Sequence, residues 1–380
     1  MKITADWIDR VETQTVCAAL TGAGYQALFV GGCVRNALIG QPVADIDIST
    51  DARPETVTVL AENVGLKVVP TGFDHGTVTV IANGIPHEVT TFRRDVETDG
   101  RRAVVAYASD FGPDAARRDF TMNALYARPD GTVIDPLGGL PDLLARRVRF
   151  VGDPAARIAE DYLRILRFFR FFAWYGDPSE GIDPDGLAAC AEYSAGIDTL
   201  SRERIGSELR KLLSAPDPAP AVAAMDQAGV LSRVLPGATA RALPVLVDME
   251  ATLSPHWCRR LAVIGGDPGP DSLRLSRHET AYLGKIRAEI ASSHSLGRIA
   301  WQHGTDIARD VALARAALFE MPPPADWQAQ IATGAAVAFP VKASDLMPAL
   351  QGAALGDRLR ALENRWADSG FTLTREQLLG

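Results

Sequence analysis

The sequence predicts an α+β protein in which a mixed sheet comes first and helices make up the rest. Short alternating apolar runs, typical of strands, occur between Ala27 and Pro136; two examples are Thr77–Ile81 and His87–Phe92. From Pro154 onward the apolar residues recur at helical spacing instead. At 380 residues the chain is too long for one ordinary core, so we expect about two to four domains.

The order of elements in the first part follows from local signals. Two glycines after an apolar run predict a tight turn into a helix, and Asn-Gly between two apolar runs predicts a hairpin. In chain order the predicted elements are helix Val11–Thr21, strand Leu28–Val30, turn Gly31–Gly32, strand Asp45–Ile48, crossing helix Pro54–Glu62 and two strands that meet at Asn83–Gly84.

The pattern changes after the strands. Arg93–Asp110 is polar and charged and contains Asp99–Arg102, which predicts a long mobile loop of a kind often tied to function. Ile158–Phe171 carries Leu and Phe on one side and Arg at i+3 spacing, which predicts one long helix. Further helices are predicted near Ile205–Leu213 and Val222–Ala228, so the C-terminal half should be all-helical.

Composition excludes several classes of protein. The formal net charge of −8 argues against a protein that coats nucleic acid nonspecifically, although a local basic face can still bind RNA. The four cysteines have no CxxC spacing, which favours buried thiols over a disulfide framework or a zinc site. Without a long apolar run or an apolar N-terminal signal region, we expect no membrane span and a cytoplasmic location.

Asp45 and Asp47 are the most informative pair in the chain. Residues i and i+2 of a strand point to one face, so these carboxylates project together, about 7 Å apart. Such a pair can hold two divalent ions roughly 3.5–4 Å apart, and the glycine turn Gly31–Gly32 lets backbone N–H groups approach a phosphate. The combination suggests nucleotidyl transfer, in which a hydroxyl attacks a metal-bound nucleoside triphosphate. The alternative for the two aspartates is a solvated strand edge.

Three further groups have both a functional and a structural interpretation. Glu88 is the best candidate for a third carboxylate, if an adjacent antiparallel strand places it beside the aspartates, but it could be an ordinary exposed strand residue. In Arg117–Leu125 the arginines can bind triphosphate oxygens, while Asp or Asn accepts from ribose hydroxyls; the alternative is a charged, capped helix N-terminus. Asp161 and Arg164, three apart on the predicted helix, can imitate the pairing edge of a base, or form an ordinary salt bridge.

Taken as an ordered series, these motifs resemble the bacterial class II tRNA nucleotidyltransferase and poly(A) polymerase family. The resemblance covers roughly residues 25 to 215 and is specific as a series, whereas the C-terminal tail is only weakly similar. One departure is Asn36, where the family usually has Asp; the change puts a metal-binding or arginine-orienting role there in doubt. The motifs that carry the resemblance are Gly31–Arg35, Asp45–Asp47, Glu88–Arg93, Asp99–Arg102, Arg117–Leu125, Glu160–Arg164 and Arg202–Leu209.

The resemblance implies a polymerase-β-like nucleotidyltransferase head, 1–137, followed by a helical neck, 138–215, and a helical body and tail, 216–380. The head would carry catalysis, the neck nucleotide-base selection, and the body and tail tRNA binding. Asp45 and Asp47 would bind two Mg²⁺ ions, with Glu88 as the third catalytic carboxylate. The nucleotide-binding set is Gly31, Gly32, Arg35, Arg118, Asp119, Asn123, Asp161, Arg164, Arg167 and Arg204.

The implied activity is Mg²⁺-dependent addition of CCA, or part of it, to the 3′ end of tRNA from CTP and ATP, with release of pyrophosphate. No obligate protein partner is inferred. A poly(A) polymerase acting on RNA 3′ ends and a relative restricted to adding CC or A are alternatives, as is a catalytically inactive RNA-binding relative. A dinucleotide-binding oxidoreductase is disfavoured because Gly31–Gly32 lacks the GxGxxG spacing.

Overall fold

The computed structural model describes residues 1–99, 102–250, 252–266 and 273–380. The chain forms two compact units. The first comprises Met1–Arg204 with Gln227–Arg233, and the second comprises Ile205–Asp226 with Val234–Gly380. The three domains inferred from the sequence therefore stay a prediction, because this division into two units does not test their boundaries.

All strands found in the described residues belong to the first unit. Seven of them form one sheet in the order β3-β4-β5-β2-β1-β8-β9, and β6 and β7 form a separate two-stranded sheet. Within the large sheet β2 and β5 run parallel, and the other pairs are antiparallel. The strands are β1 Leu28–Val30, β2 Ile46–Thr50, β3 Lys67–Gly72, β4 Thr77–Ala82, β5 Ile85–Thr91, β6 Arg93–Asp99, β7 Arg102–Tyr107, β8 Tyr126–Ala127 and β9 Val133–Ile134.

Helices dominate the rest of the chain. The α-helices of the described residues are α1 Asp6–Asp9, α2 Val11–Thr21, α3 Gly32–Leu38, α4 Pro54–Asn63, α5 Phe111–Ala116, α6 Gly139–Leu144, α7 Pro154–Glu160, α8 Leu163–Tyr175, α9 Pro184–Glu192, α10 Arg202–Leu213, α11 Ala219–Gln227, α12 Val230–Val234, α13 Leu243–Met249, α14 Trp257–Ile264, α15 Arg277–Ala291, α16 Leu296–His303, α17 Thr305–Phe319, α18 Trp327–Ala336, α19 Gly352–Asp368 and α20 Arg375–Leu379. The predicted α+β class, with the sheet first and helices after it, is confirmed.

The alternating pattern places the sheet's apolar side chains in a core. Val78, Val80 and Ala82 of β4 are buried, whereas the residues between them are half-buried. The predicted hairpin at Asn83–Gly84 joins β4 to β5, and both turn residues have positive φ, as the tight hairpin turn requires. Local turn chemistry and period-2 burial thus account for this part of the sheet.

The segment predicted as a long loop forms strands instead. β6 and β7 pair from Arg93↔Tyr107 to Asp99↔Arg102, with a register shift between Asp95 and Glu97. Backbone pairing between the two arms satisfies the peptide groups, which a polar composition alone does not reveal. Gly100 and Arg101, at the centre of the predicted Asp99–Arg102 loop, lie outside the described residues.

The single long helix predicted for Ile158–Phe171 is also wrong. α7 ends at Glu160 and α8 begins at Leu163, because Asp161 is extended, with φ −156° and ψ 105°. The Asp161 carboxylate accepts a hydrogen bond from the Leu163 backbone N–H at 3.1 Å. A short acidic side chain that bonds its neighbouring backbone competes with helix continuation, which accounts for the break.

The second unit packs helices around a buried network of charges. Arg259 and Arg260 both donate to Glu250, and Arg259 also donates to Asp310 at 2.7 Å. All four side chains are buried. In the part of the chain that the structure describes, we find no helix long and apolar enough to cross a membrane.

Candidate active site

Three carboxylates that the sequence singles out lie in, or directly before, two neighbouring strands. Asp45 immediately precedes β2, Asp47 is the second residue of β2, and Glu88 lies in β5. The strand register sets Asp47 directly opposite Glu88. The predicted antiparallel direction is wrong, because the chain crosses from β2 to β5 through α4 and two strands, and β5 enters parallel to β2.

Asp47 is the carboxylate whose negative charge is most strongly affected by its two acidic neighbours and by burial. Asp47 is half-buried, whereas Asp45 and Glu88 are exposed. Burial and, next, the negative charge of Glu88 raise the pKa of Asp47 to about 6; Asp45 adds to the rise, while Arg118 and Arg35 oppose it. The arginines therefore offset the effects of burial and of the neighbouring negative charge only in part, and a bound cation would further stabilise the ionised carboxylate.

This donor set fits Mg²⁺, provided that a substrate completes the coordination. Among the described residues, no group of three or more His, Cys, Asp or Glu side chains is arranged to hold a metal by itself. Mg²⁺ is typically bound by one or two carboxylates together with substrate phosphates and water. Asp45 and Asp47 would supply those carboxylates, with Glu88 beside them.

The glycine turn lies against Arg118. Gly31 has φ +70°, and a Cβ there would come within 3.2 Å of Arg118 Nη1, so only glycine fits without strain. Arg118 Nη2 pairs with the buried Asp114 carboxylate at 3.0 Å, and Arg118 Nε lies 3.3 Å from the Tyr126 hydroxyl. The guanidinium is thus held beside both the turn and the carboxylates, where it can meet phosphate oxygens.

Asp119 and Asn123 belong to a network that reaches α8. Arg167 pairs with one Asp119 oxygen, and the Asn123 amide donates to the other at 2.8 Å. Burial alone would raise the pKa of Asp119, but the Arg167 charge and the Asn123 hydrogen bond bring it below the ordinary value. Asn123 in turn accepts from Arg35 at 2.5 Å, so these four predicted site residues are directly connected.

Asp161 and Arg164 take different side-chain partners, so the alternative of a salt bridge between them is wrong, and their role in base selection stays a prediction. Arg204 donates to Asp161 at 2.6 Å, which brings two predicted site residues together. Arg164 instead donates to Glu160 at 2.5 Å and to the backbone carbonyls of Arg157 and Arg117. The predicted shared helix face is wrong, because the extended backbone at Asp161 separates the two helices.

Several residues that hold Arg118 and its backbone in place were not predicted from the sequence. Asp114 and Tyr126 hold Arg118, and Tyr126 donates to Asp114 at 2.8 Å. Arg157 donates to the backbone carbonyls of Arg117 and Arg118. The sequence gives a weak signal for Asp114, because it lies on a helix four residues before Arg118 and can pair with it. No local sequence pattern points to Tyr126 or Arg157.

Asn36 retains a contact with its neighbour despite departing from the family pattern. Its side-chain oxygen accepts from Arg35 Nε at 3.1 Å and from Nη2 at 2.9 Å, and its amide donates to the Pro42 carbonyl. An arginine-orienting contact is therefore present at this position, made by a neutral acceptor.

Two protein families match parts of the chain: one covers the region of the candidate site, and the other covers part of the helical region. Residues 27–149 match the family described as the poly A polymerase head domain. Residues 181–241 match the family described as the probable RNA and SrmB-binding site of polymerase A. The first match contains the carboxylates, the glycine turn and Arg118.

Curated relatives match over about half of the chain. The human mitochondrial CCA tRNA nucleotidyltransferase 1 is 42% identical over 190 residues, which are 50% of this chain and 44% of the relative. The CCA-adding enzyme of Leuconostoc citreum (strain KM20) is 40% identical over 215 residues, or 56% of this chain and 52% of the relative. The matched part thus spans about half the length of these relatives.

Solved structures match over nearly the whole chain. The Bacillus stearothermophilus CCA-adding enzyme in complex with CTP has a TM-score of 0.72 and 26% identity, covering 94% of this chain and 92% of that one. The Thermotoga maritima CCA-adding enzyme complexed with tRNA has a TM-score of 0.68 and 18% identity, covering 100% and 98%, which shows a shared fold. Residues 27–149 thus match the poly A polymerase head-domain family, and the chain as a whole shares the fold of the solved CCA-adding enzymes.

Proposed function

We propose that this chain is a nucleotidyltransferase that adds CCA, or part of it, to the 3′ end of tRNA from CTP and ATP. The observation that carries the proposal is the half-buried Asp47, which lies opposite Glu88 beside Asp45 and near Arg118. Relatives named as CCA-adding enzymes, and a related structure solved with CTP, support the choice of substrates.

Each group has a defined part in the proposed reaction. Asp45 and Asp47 hold the metal, while Arg118 and the turn at Gly31–Gly32 bind the triphosphate of the incoming nucleotide. Two Mg²⁺ ions bound there would lower the pKa of the attacking 3′ hydroxyl and balance the charge on the leaving pyrophosphate. The protein's own contribution is to hold the triphosphate and the tRNA end in line.

The remaining assignments belong to the same proposal. Residues 1–137 would form the catalytic head, 138–215 the base-selecting neck, and 216–380 the tRNA-binding body and tail. Asp161 and Arg164 would choose CTP and ATP, with Arg167 and Arg204 in support. We further propose that the enzyme works in the cytoplasm without an obligate protein partner.

Single-nucleotide incorporation on defined tRNA ends tests the proposal. Transcripts that end at the discriminator base, at C or at CC are incubated with Mg²⁺ and each nucleoside triphosphate separately. We expect C addition to the first two, A addition to the third, and no product when EDTA replaces Mg²⁺. No addition to any transcript by folded, Mg²⁺-loaded protein would favour an inactive RNA-binding relative.

Poly(A) synthesis is the second candidate, since the matched head-domain family is named for poly A polymerase. It predicts repeated A addition to an unstructured RNA and to all three tRNA ends, with no use of CTP. Addition that stops after CC, or that only completes CC ends, would instead identify a restricted tRNA enzyme.

A further inference from the structure

Arg35 is a buried cation with electrically neutral hydrogen-bond partners. Its side chain donates to Asn123 Oδ1 at 2.5 Å, to the Tyr175 hydroxyl at 2.8 Å and to Asn36 Oδ1. Arg35 is only 6% exposed, and burial lowers its pKa. Because an arginine has five N–H donors and these contacts engage four of them, little capacity is left to bind a nucleotide directly.

The contacts place Arg35 between the glycine turn and α8. Arg35 lies in α3, which begins at Gly32 directly after Gly31. On α8, Arg167, Phe171 and Tyr175 follow one another at i,i+4 spacing and therefore share a face.

That face of α8 makes two links to the segments that carry the candidate site. The Arg35 guanidinium lies 4.0 Å from the Tyr175 ring centroid and 5.2 Å from that of Phe171. Arg167 makes the second link through Asp119. The first link acts on the helix that follows the glycine turn, and the second acts on the Arg117–Leu125 motif.

We propose that Tyr175 is a positioning residue for the nucleotide triphosphate. The inference rests on the function proposed above. The Tyr175 hydroxyl and ring hold Arg35, and Arg35 holds the start of α3, so the turn at Gly31–Gly32 keeps its place beside Arg118. Without the hydroxyl the turn is held less firmly, and the phosphates bind less tightly, whichever base they carry.

Tyr175→Phe removes the hydroxyl and keeps the ring. Tyr282→Phe is the matched control, because the Tyr282 hydroxyl is also hydrogen-bonded to a charged group, as the donor to Asp310, but in the second unit. We expect Tyr175→Phe to raise KM for CTP and for ATP by about tenfold each, with kcat less affected, since a hydrogen bond to a charged group is lost. The control should leave both KM values unchanged.

Binding without turnover separates this inference from the proposed function. Calorimetric titration with magnesium pyrophosphate should show weaker binding to Tyr175→Phe by a similar factor, and weaker binding still to Tyr175→Leu, which also loses the ring. The ratio of CTP to GTP incorporation should stay at the wild-type value, because the base contacts are untouched.

The inference is overturned if Tyr175→Phe protein keeps the wild-type KM values and pyrophosphate affinity while its melting temperature is unaltered. Equal weakening in Tyr282→Phe would do the same, because the effect would then be general destabilisation. If the wild-type protein binds pyrophosphate but transfers no nucleotide, the proposed function fails, and the binding comparison still decides the role of Tyr175.

Discussion

At the scale of single residues, the carboxylate of Asp47 combines charge with partial burial. Asp47→Asn should abolish nucleotide transfer, because a neutral amide binds Mg²⁺ poorly. The melting temperature should stay the same or rise, since the raised pKa shows that the fold disfavours this charge. Rates of C addition at saturating Mg²⁺, with thermal unfolding followed by circular dichroism, check both outcomes.

The exposed Asp9 on α1 offers the matched control for that substitution. Asp9→Asn removes the same charge outside the site and should keep the wild-type rate. Wild-type kcat in folded Asp47→Asn protein would contradict the metal-binding role.

Arg164 tests base selection at the same scale. Arg164→Ala should raise incorporation of UTP or GTP relative to CTP and ATP by roughly ten- to a hundredfold, if one bidentate base contact is worth about 1–3 kcal/mol. Overall turnover should fall less than in Asp47→Asn, because the metal ligands remain. Incorporation ratios for the four nucleotides, measured on a tRNA lacking its 3′ end, give the result.

The structure adds a second expectation for this variant. Arg164 donates to the Arg117 carbonyl, so its loss also loosens the backbone before Arg118. A rise in KM that is equal for all four nucleotides, with unchanged ratios, would mean that Arg164 supports the phosphate site and does not choose the base.

At the scale of elements, the hairpin of β6 and β7 begins beside the site. The backbone N–H of Arg93 lies 3.4 Å from the Asp114 carboxylate that holds Arg118. Deleting residues 99–102 should reduce the final A addition more than the C additions, because the hairpin that contains them begins beside the site and is suited to adjust the pocket between nucleotides. Separate rates of CC and A incorporation measure the difference.

A variant that replaces residues 99–102 with Gly-Ser-Gly-Ser keeps the length and tests whether the sequence matters. Selective loss of A addition in the deletion alone would assign the effect to length. An equal fall in CC and A incorporation would refute a switching role for the hairpin.

At the scale of the whole molecule, the second unit depends on buried charges that the proposed chemistry does not use. Burial alone would raise the pKa of Asp310, but hydrogen bonds and charge from His256 and Arg259 bring it below the ordinary value. The Tyr282 hydroxyl also donates to Asp310. Asp310→Asn should therefore lower the free energy of unfolding at pH 7 by about 3–5 kcal/mol, because it breaks a buried ion pair.

The pH dependence of this loss has a definite sign. Since the folded pKa of Asp310 lies below its unfolded value near 3.9, the ionised group stabilises the fold above about pH 4. That contribution disappears as pH falls through the folded pKa, so wild type and variant should converge in acid. Asp306→Asn on the same helix, where the carboxylate is exposed and pairs with Arg309, should change little at either pH.

Urea unfolding at pH 7 and in acid, followed by tryptophan fluorescence, checks this pair of variants. A constant difference between wild type and Asp310→Asn across the pH range would mean that packing, and not charge, accounts for the loss.

The sequence by itself determined the features that depend on neighbours along the chain. Helix Val11–Thr21 and the hairpin turn at Asn83–Gly84 follow from apolar periodicity and turn chemistry, and the structure confirms both. The Asp45–Asp47 spacing likewise marked the strand that carries the candidate metal ligands, whose role stays a prediction.

Only the tertiary structure decided the features that join distant residues. Three such features join residues 41 to 140 positions apart: the parallel pairing of β2 with β5, the hydrogen bond from Arg204 to Asp161 and the contact of Tyr175 with Arg35. No local pattern encodes such contacts, because they arise when whole elements pack and each buried polar group takes the partner that packing supplies. The break at Asp161 shows the same limit locally, since apolar periodicity continues through it while the backbone does not.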